Sequence, residues 1–326
     1  MKVLYIAGYS RSGSTLLLRL LGETPGVAAV GELFDLWQRS FVDNQLCGCG
    51  EPFLGCSFWR DVARTAFGCE PAEVPAGRLA LQRLRVQGHG AIPKLWVPPL
   101  QSRRFKNDAE NYRRVLERVY GAIASVSGAS IVVDSSKVPQ YQWVLAGAVG
   151  IELHVVHLVR DSRATAHSLE RRKLRPEIHW RRQEMDRLGA LRSALEWQLS
   201  HVMIATRKRS AASYIRVRYE DLVRDPAAVL KQIGVACNFA LREPPGLAEG
   251  KVVLPASHTV SGNPSRFIVG PTDIAPDDEW VDRMSARDRA TVTALTAPGL
   301  RHYGYRLAPP VVGGTRSSAL NLSQEP

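Results

Sequence analysis

The first fifteen residues constrain this chain most. Lys2 to Ala7 is a short apolar run rich in β-formers, and it enters Gly8-Tyr-Ser-Arg-Ser-Gly-Ser-Thr15 directly. An apolar run of that length closed by glycine predicts a buried parallel strand. Ser14 to Glu23 is rich in Leu and reads as a helix stopped by Thr24-Pro25-Gly26. A strand, a Gly-x4-Gly turn and a helix make a phosphate cradle, because the turn points backbone N–H groups at an anion and the helix N-terminus adds positive potential. A triphosphatase built this way needs Lys directly after the second Gly, and Ser14 stands there. The missing contact to the β- and γ-phosphates argues against an ATPase or kinase, so a P-loop nucleotide or metabolite kinase is only the alternative. Arg11 supplies the charge instead, and its guanidinium suits a forked set of anionic oxygens.

Further strands are expected at Val27 to Val30, Ser130 to Val133, Leu153 to Val159 and Ser213 to Val217. Helices are expected at Asp108 to Ser127, Tyr141 to Val149, from about Ser162, and from Leu188 to Lys208. Strands alternating with helices imply βαβ units, hence an α/β fold with a central parallel sheet flanked by helices. Pro71 to Lys106 gives mixed signals, Cys47 to Phe58 reads as an irregular loop, and Arg171 to Arg187 reads as a loop or frayed helix crowded with Arg. One domain is expected over 1–307, followed by a Pro-, Gly- and Ser-rich disordered tail over 308–326.

Two segments more than a hundred residues apart then point to one family. Arg11-Ser12-Gly13-Ser14-Thr15 resembles the 5′-phosphosulfate loop of sulfotransferases that use 3′-phosphoadenosine 5′-phosphosulfate (PAPS). Leu158-Val-Arg160-Asp-Ser-Arg-Ala-Thr-Ala-His-Ser168 resembles their 3′-phosphate motif, an Arg at a strand end with a Ser eight residues on. Strand ends are where open α/β sheets bind ligands. Val217-Arg-Tyr219 resembles the segment whose Tyr lies near the adenine, and His258-Thr-Val-Ser-Gly-Asn263-Pro-Ser-Arg266 resembles a basic closing loop of bacterial members. The style is nearest to the carbohydrate and tyrosylprotein branches. The resemblance implies a P-loop-like sulfotransferase fold, PAPS as co-substrate, its 3′-phosphoadenosine 5′-phosphate (PAP) product, and a hydroxyl on a carbohydrate, lipid or secondary metabolite as acceptor. Arg11, Ser12, Gly13, Ser14, Thr15, Arg160, Ser168, Tyr219, Asn263 and Arg266 are the implied donor-binding residues.

Sulfuryl transfer needs cations for the leaving phosphate and a base for the acceptor hydroxyl. Lys137, closing Asp134-Ser-Ser-Lys137 after an apolar strand, is the candidate leaving-group cation beside Arg11, and it matches the family's Lys segment. Glu32, 21 residues after Arg11, is the candidate base, as in the tyrosylprotein branch. A His two residues after the Lys, used elsewhere in the family, is excluded because Pro139 occupies that place. His157 and His167 read as structural. Cys47-Gly-Cys49 with Cys56 and Cys69 lacks the paired Cys-x2-Cys spacing and a nearby His, so no metal is expected there; a loop disulfide stays open. The net charge of +12 favours an anionic partner, and the resemblance makes that a small molecule rather than nucleic acid. No apolar run is long enough to span a bilayer, and the N-terminus lacks the pattern of a signal peptide. A cytoplasmic location without a stable membrane anchor, and reduced cysteines, are therefore expected.

Overall fold

The computed structural model describes residues 1–308. The expectation of a disordered tail falls, beyond residue 308, outside the described residues. Five strands form the central sheet: β1 (Lys2–Gly8), β2 (Val27–Gly31), β3 (Ile131–Lys137), β4 (Glu152–Val159) and β5 (Ser213–Arg218). Their order is β2-β3-β1-β4-β5, and every neighbouring pair is parallel. β1 therefore sits in the middle, and the chain winds to one side of it for β2 and β3 and to the other for β4 and β5. That reversal opens a crevice at the carboxyl ends of β1, β3 and β4.

Alternation along β1 explains why it is apolar throughout. Val3, Tyr5 and Ala7 face a core shared with Tyr112, Leu116 and Tyr120 of the long helix Arg103–Ser127. Leu4 and Ile6 face the other way, onto Leu17 and Leu21 of the helix Ser14–Gly22 and onto Leu230 and Ile233 of the helix Pro226–Ala236. Both faces are covered, so no polar residue is tolerated between Val3 and Ala7.

The structure adds elements that the mixed stretches hid. Cys47 to Phe58 is irregular only at first, because a helix begins at Ser57 and runs to Phe67. Its buried Trp59, Val62, Ala63 and Ala66 recur at helical spacing. Another helix, Ala76–Gln87, occupies the expected mixed region. Residues 171–187 are an irregular loop with one antiparallel bridge between Leu174 and Glu184, and Leu46 donates its N–H to the Glu177 carbonyl to fasten it. A small antiparallel pair, β6 (Lys251–Leu254) and β7 (Gly270–Asp273), lies outside the main sheet. Beyond β6, Val260 makes a parallel bridge with Gly31, so the chain runs alongside the outer edge of β2.

Candidate active site

Register brings the phosphate loop, Lys137 and Arg160 to one edge of the sheet. Ala7 pairs with Lys137, and Gly8 pairs with Leu158. The loops leaving β1, β3 and β4 therefore start at the same height. They border a cleft of about 570 Å³ lined by Arg11, Gly13, Ser14, Thr15, Glu32, Lys137, Arg160, Ser168, Tyr219 and Asn263, among others.

Backbone conformation in the cleft is unusual. Arg11 and Lys137, and Ser261 just before the cleft-lining Gly262, are non-glycine residues with positive φ, at 63°, 67° and 55°. Such positions cost on the order of 1–3 kcal/mol each and persist where the surroundings fix them. Gly13 has φ 88°, and a Cβ there would lie 2.3 Å from the Tyr219 ring. Glycine is thus required twice over, by conformation and by contact. The helix that follows has no side-chain cap, which leaves its first amides facing the cleft. Ser12 is the exception in the loop: it is buried under the turn, against Gly8, and does not line the cleft.

Two cations in the cleft wall have no carboxylate within salt-bridge distance among the described residues. One is Arg11; the other is Lys173, from the Arg-rich loop. Burial, with Arg11 and Arg171 nearby, pulls the Lys173 ammonium down to about 8. A site that holds desolvated cations close together is built for an anion. Arg160 is 5 % exposed. It donates to the Arg11 carbonyl at 3.0 Å and to the Asp277 carboxylate at 2.9 Å, and its guanidinium lies 4.5 Å from the centre of the Tyr219 ring. Asp277 is held below the usual carboxylate range: burial works against this, but Arg160 prevails. Ser168 lies in the second turn of the helix Ser162–Glu170 and faces the same cleft.

Glu32 follows β2, and its backbone N–H donates to the Val260 carbonyl at 2.8 Å. Its carboxylate is in direct contact with the Lys137 ammonium, which also donates to the Ser135 carbonyl at 3.0 Å. The two candidate catalytic groups thus form one ion pair in the cleft wall. Beneath them Asp134 is fully buried and accepts from the Ser136 N–H and from the hydroxyls of Ser136 and Tyr120. Burial raises its carboxyl to about 6 despite these donors. The Ser136 hydroxyl in turn accepts from the Phe34 N–H, which ties the end of β3 to the segment carrying Glu32.

Beyond the buried Ser12, three points differ from the expectations. Arg266 does not reach the cleft. It is 1 % exposed and donates to the carbonyls of Thr259 and Leu46. The short turn Pro264–Phe267 swings it inward, while Gly262, Asn263 and Ser265 stay at the cleft. The second concerns metal ligands. No His lies near the cysteines in sequence, yet folding brings His258 to Cys47, Cys49 and Cys56, while Cys69 lies outside that group. Lastly, sequence reasoning passed over Lys173 and Asp277, whose only signals were the crowding of Arg around residue 173 and an acidic pair at 277–278. His157 is buried and bonded to Tyr214 and His201, consistent with a structural role. Desolvation lowers both imidazoles and keeps them neutral.

A parallel sheet with desolvated cations at its switch point makes a cleft suited to an anionic ligand. Residues 152–243, from β4 through Arg160, Ser168 and Tyr219, match the model of the Sulfotransferase family. The matched segment holds β4, β5 and the residues around Arg160, and the rest of the chain is compared by its fold. Its fold is similar to that of the sulfotransferase domain from the Synechococcus PCC 7002 olefin synthase, at 18 % identity and a TM-score of 0.50, over 94 % of this chain and 96 % of that one. It is equally similar to the sulfotransferase domain from the curacin biosynthetic pathway, at 15 % identity and a TM-score of 0.50, over 94 % and 98 %. At these identities the likeness is one of fold. No curated protein matches the chain. The phosphate loop, Glu32 and Lys137 lie outside the family-matched segment, so their roles are argued from geometry. Among the described residues no helix is long and apolar enough to cross a membrane.

Proposed function

We propose that the protein moves a sulfuryl group from PAPS to a hydroxyl of a small carbohydrate, lipid or secondary-metabolite acceptor. The observation that carries this reading is the pair of anion sites facing one cleft: the uncapped loop with Arg11 and Lys173, and Arg160 with Ser168. A nucleotide charged at both its 5′ and 3′ positions fits two such sites. The orphaned Nε of Arg160 and the surface of Gly13 that a Cβ would fill agree with a ligand held there. PAPS supplies an activated sulfur–oxygen bond.

The residues then divide the work. The amides of Gly13, Ser14 and Thr15 with Arg11 hold the 5′ anion, Arg160 and Ser168 hold the 3′-phosphate, and Tyr219 packs beside the base. Glu32 takes the proton of the acceptor hydroxyl as that oxygen bonds to sulfur. Lys137 and Arg11 neutralise the bridging oxygen that leaves with PAP. Because Lys137 contacts Glu32 before reaction, its move to the leaving oxygen also frees the carboxylate to act as base. The donors sit in a low-dielectric wall, where they need little reorganisation. The acceptor side is bounded by Arg39, Arg175, Met185, Leu188 and Arg192. A single compact domain over 1–307 is part of this proposal.

Calorimetric titration with PAP tests the donor site: saturable 1:1 binding is expected, and no binding at high micromolar PAP removes the reading. Transfer from labelled PAPS, screened over sugars, lipids and phenols, identifies the acceptor. Magnesium-dependent turnover of ATP would favour the kinase alternative instead.

A further inference from the structure

We infer that Cys47, Cys49, Cys56 and His258 form a structural zinc site that fastens the loop 258–266 to the wall of the cleft. One ligand atom from each of these four residues lies within 4.8 Å of all the others. A tetrahedral zinc with Zn–S of about 2.3 Å and Zn–N of about 2.0 Å requires sulfur–sulfur edges of about 3.8 Å and sulfur–nitrogen edges of about 3.5 Å. The Cys49 and Cys56 sulfurs are 3.8 Å apart, and His258 Nδ1 is 3.3 Å from Cys56 Sγ and 3.9 Å from Cys47 Sγ. Four donors at these separations, three of them thiols, match a structural zinc centre, whose four protein ligands leave no open position for catalysis.

The surrounding chain is shaped to hold those donors. Cys47 donates its N–H to the Glu51 carbonyl at 2.8 Å, and Gly48 donates to the Thr259 carbonyl at 2.9 Å. Gly50, with φ 93°, closes the turn. A Cβ on Gly48 would meet Thr259 Oγ1 at 2.4 Å and the Ser257 carbonyl at 2.6 Å, so the cysteine turn and the His258 segment are pressed together. The His258 ring stacks on Phe58 with centroids 4.9 Å apart, and Trp59 Nε1 donates to the His258 carbonyl at 2.9 Å. Such fixing of the ligand-bearing backbone is what a metal site needs around it.

A second observation is independent of the ligands. Arg266 is fully buried, and among the described residues it forms no ion pair with a carboxylate. Its two carbonyl partners, Leu46 and Thr259, adjoin Cys47 and His258. A guanidinium buried behind both ligand turns costs several kcal/mol unless a negative charge faces it. The buried Glu177 carboxylate nearby is already paired with Arg175, and zinc with three thiolates and a neutral imidazole carries one net negative charge that adds a counterpart on the ligand side. A Cys49–Cys56 disulfide, which needs sulfurs at about 2.05 Å, would account for neither Cys47 nor His258.

The experiment uses the full chain purified without chelator, with metal measured by mass spectrometry of the elements. One zinc per chain is expected. Cys49→Ser and His258→Ala should each weaken zinc binding at least tenfold in chelator competition, while Cys69→Ser leaves it unchanged. Cobalt in place of zinc should give the visible absorption of a tetrahedral thiolate site. Wild-type protein that takes up no zinc, that holds iron or copper instead, or that carries a Cys49–Cys56 disulfide overturns the inference. So does zinc retained in both ligand variants. None of these readouts depends on sulfuryl transfer, so failure here is distinct from failure of the proposed function.

Discussion

At the scale of single residues, charge and burial make the sharpest predictions. Lys173 is half neutral near pH 8 in the free protein. A bound anion raises its ammonium, so donor binding takes up a proton and weakens as pH rises through about 8. PAP affinity measured from pH 6.5 to 9.5 should fall across that point, and Lys173→Met should flatten the profile. Arg160→Ala removes a charge-assisted contact of about 1.5–3 kcal/mol, so PAP should bind roughly 10- to 100-fold more weakly by calorimetry. Glu32→Gln should leave PAP affinity within a few-fold yet reduce turnover by about 10²–10⁴. Unchanged turnover in that variant would exclude Glu32 as the base. Most of these residues were legible beforehand, because Arg11, Lys137 and Arg160 each stand where an apolar run ends. Arg266 was misplaced because an Arg in a loop reads as exposed, and only the fold reveals two carbonyls waiting inside. Lys173 was missed because one Lys among many Arg residues has no distinguishing spacing.

At the scale of elements, the strand ends set the site. Gly13→Ala would place a methyl against the Tyr219 ring in a left-handed turn. It should weaken PAP binding at least tenfold and lower the melting temperature. The end of β3 makes a pH-dependent contribution through Asp134. Its carboxyl is raised from 3.8 to about 6, so the folded state binds the proton more tightly than the unfolded chain. Stability is therefore lost as pH rises from about 4 to about 6, by about 3 kcal/mol. The difference between the stability curves of wild type and Asp134→Asn, from denaturant titrations at pH 4 to 7, should show that slope. The five sheet strands were readable to within a few residues: burial on both faces writes a nearly unbroken apolar run in β1 and β4, while β3 shows only its apolar first half and β5 is partly exposed and carries Arg216. The helices Ser57–Phe67 and Ala76–Gln87 were obscured by the Cys, Pro and Gly that flank them. β6 and β7 are four residues each, too short for alternation to register.

At the scale of the whole molecule, the cleft is assembled from segments as distant as residues 10 and 277. Unfolding any large part of the chain must therefore dissolve the site. A single calorimetric transition is expected, as for one domain, and PAP at 100 times its dissociation constant should add about 2.7 kcal/mol to the stability. Two transitions, only one of them shifted by PAP, would contradict this. The net charge of +12 also makes binding sensitive to ionic strength. What the linear sequence withheld at this scale is long-range closure. Val260 beside Gly31, and His258 beside Cys56, are contacts that no local pattern encodes.

The loop 171–187 is fastened to the body at a few points, among them the Leu46–Glu177 hydrogen bond and the Arg171–Glu279 ion pair. It supplies the mouth of the cleft, whereas the anion sites come chiefly from the sheet ends. On the proposed function, acceptor choice would reside mainly in this loop and donor chemistry in the sheet ends, with Lys173 shared between them. A graft that keeps Lys173 and replaces residues 174–187 should change the mouth while leaving the anion sites standing.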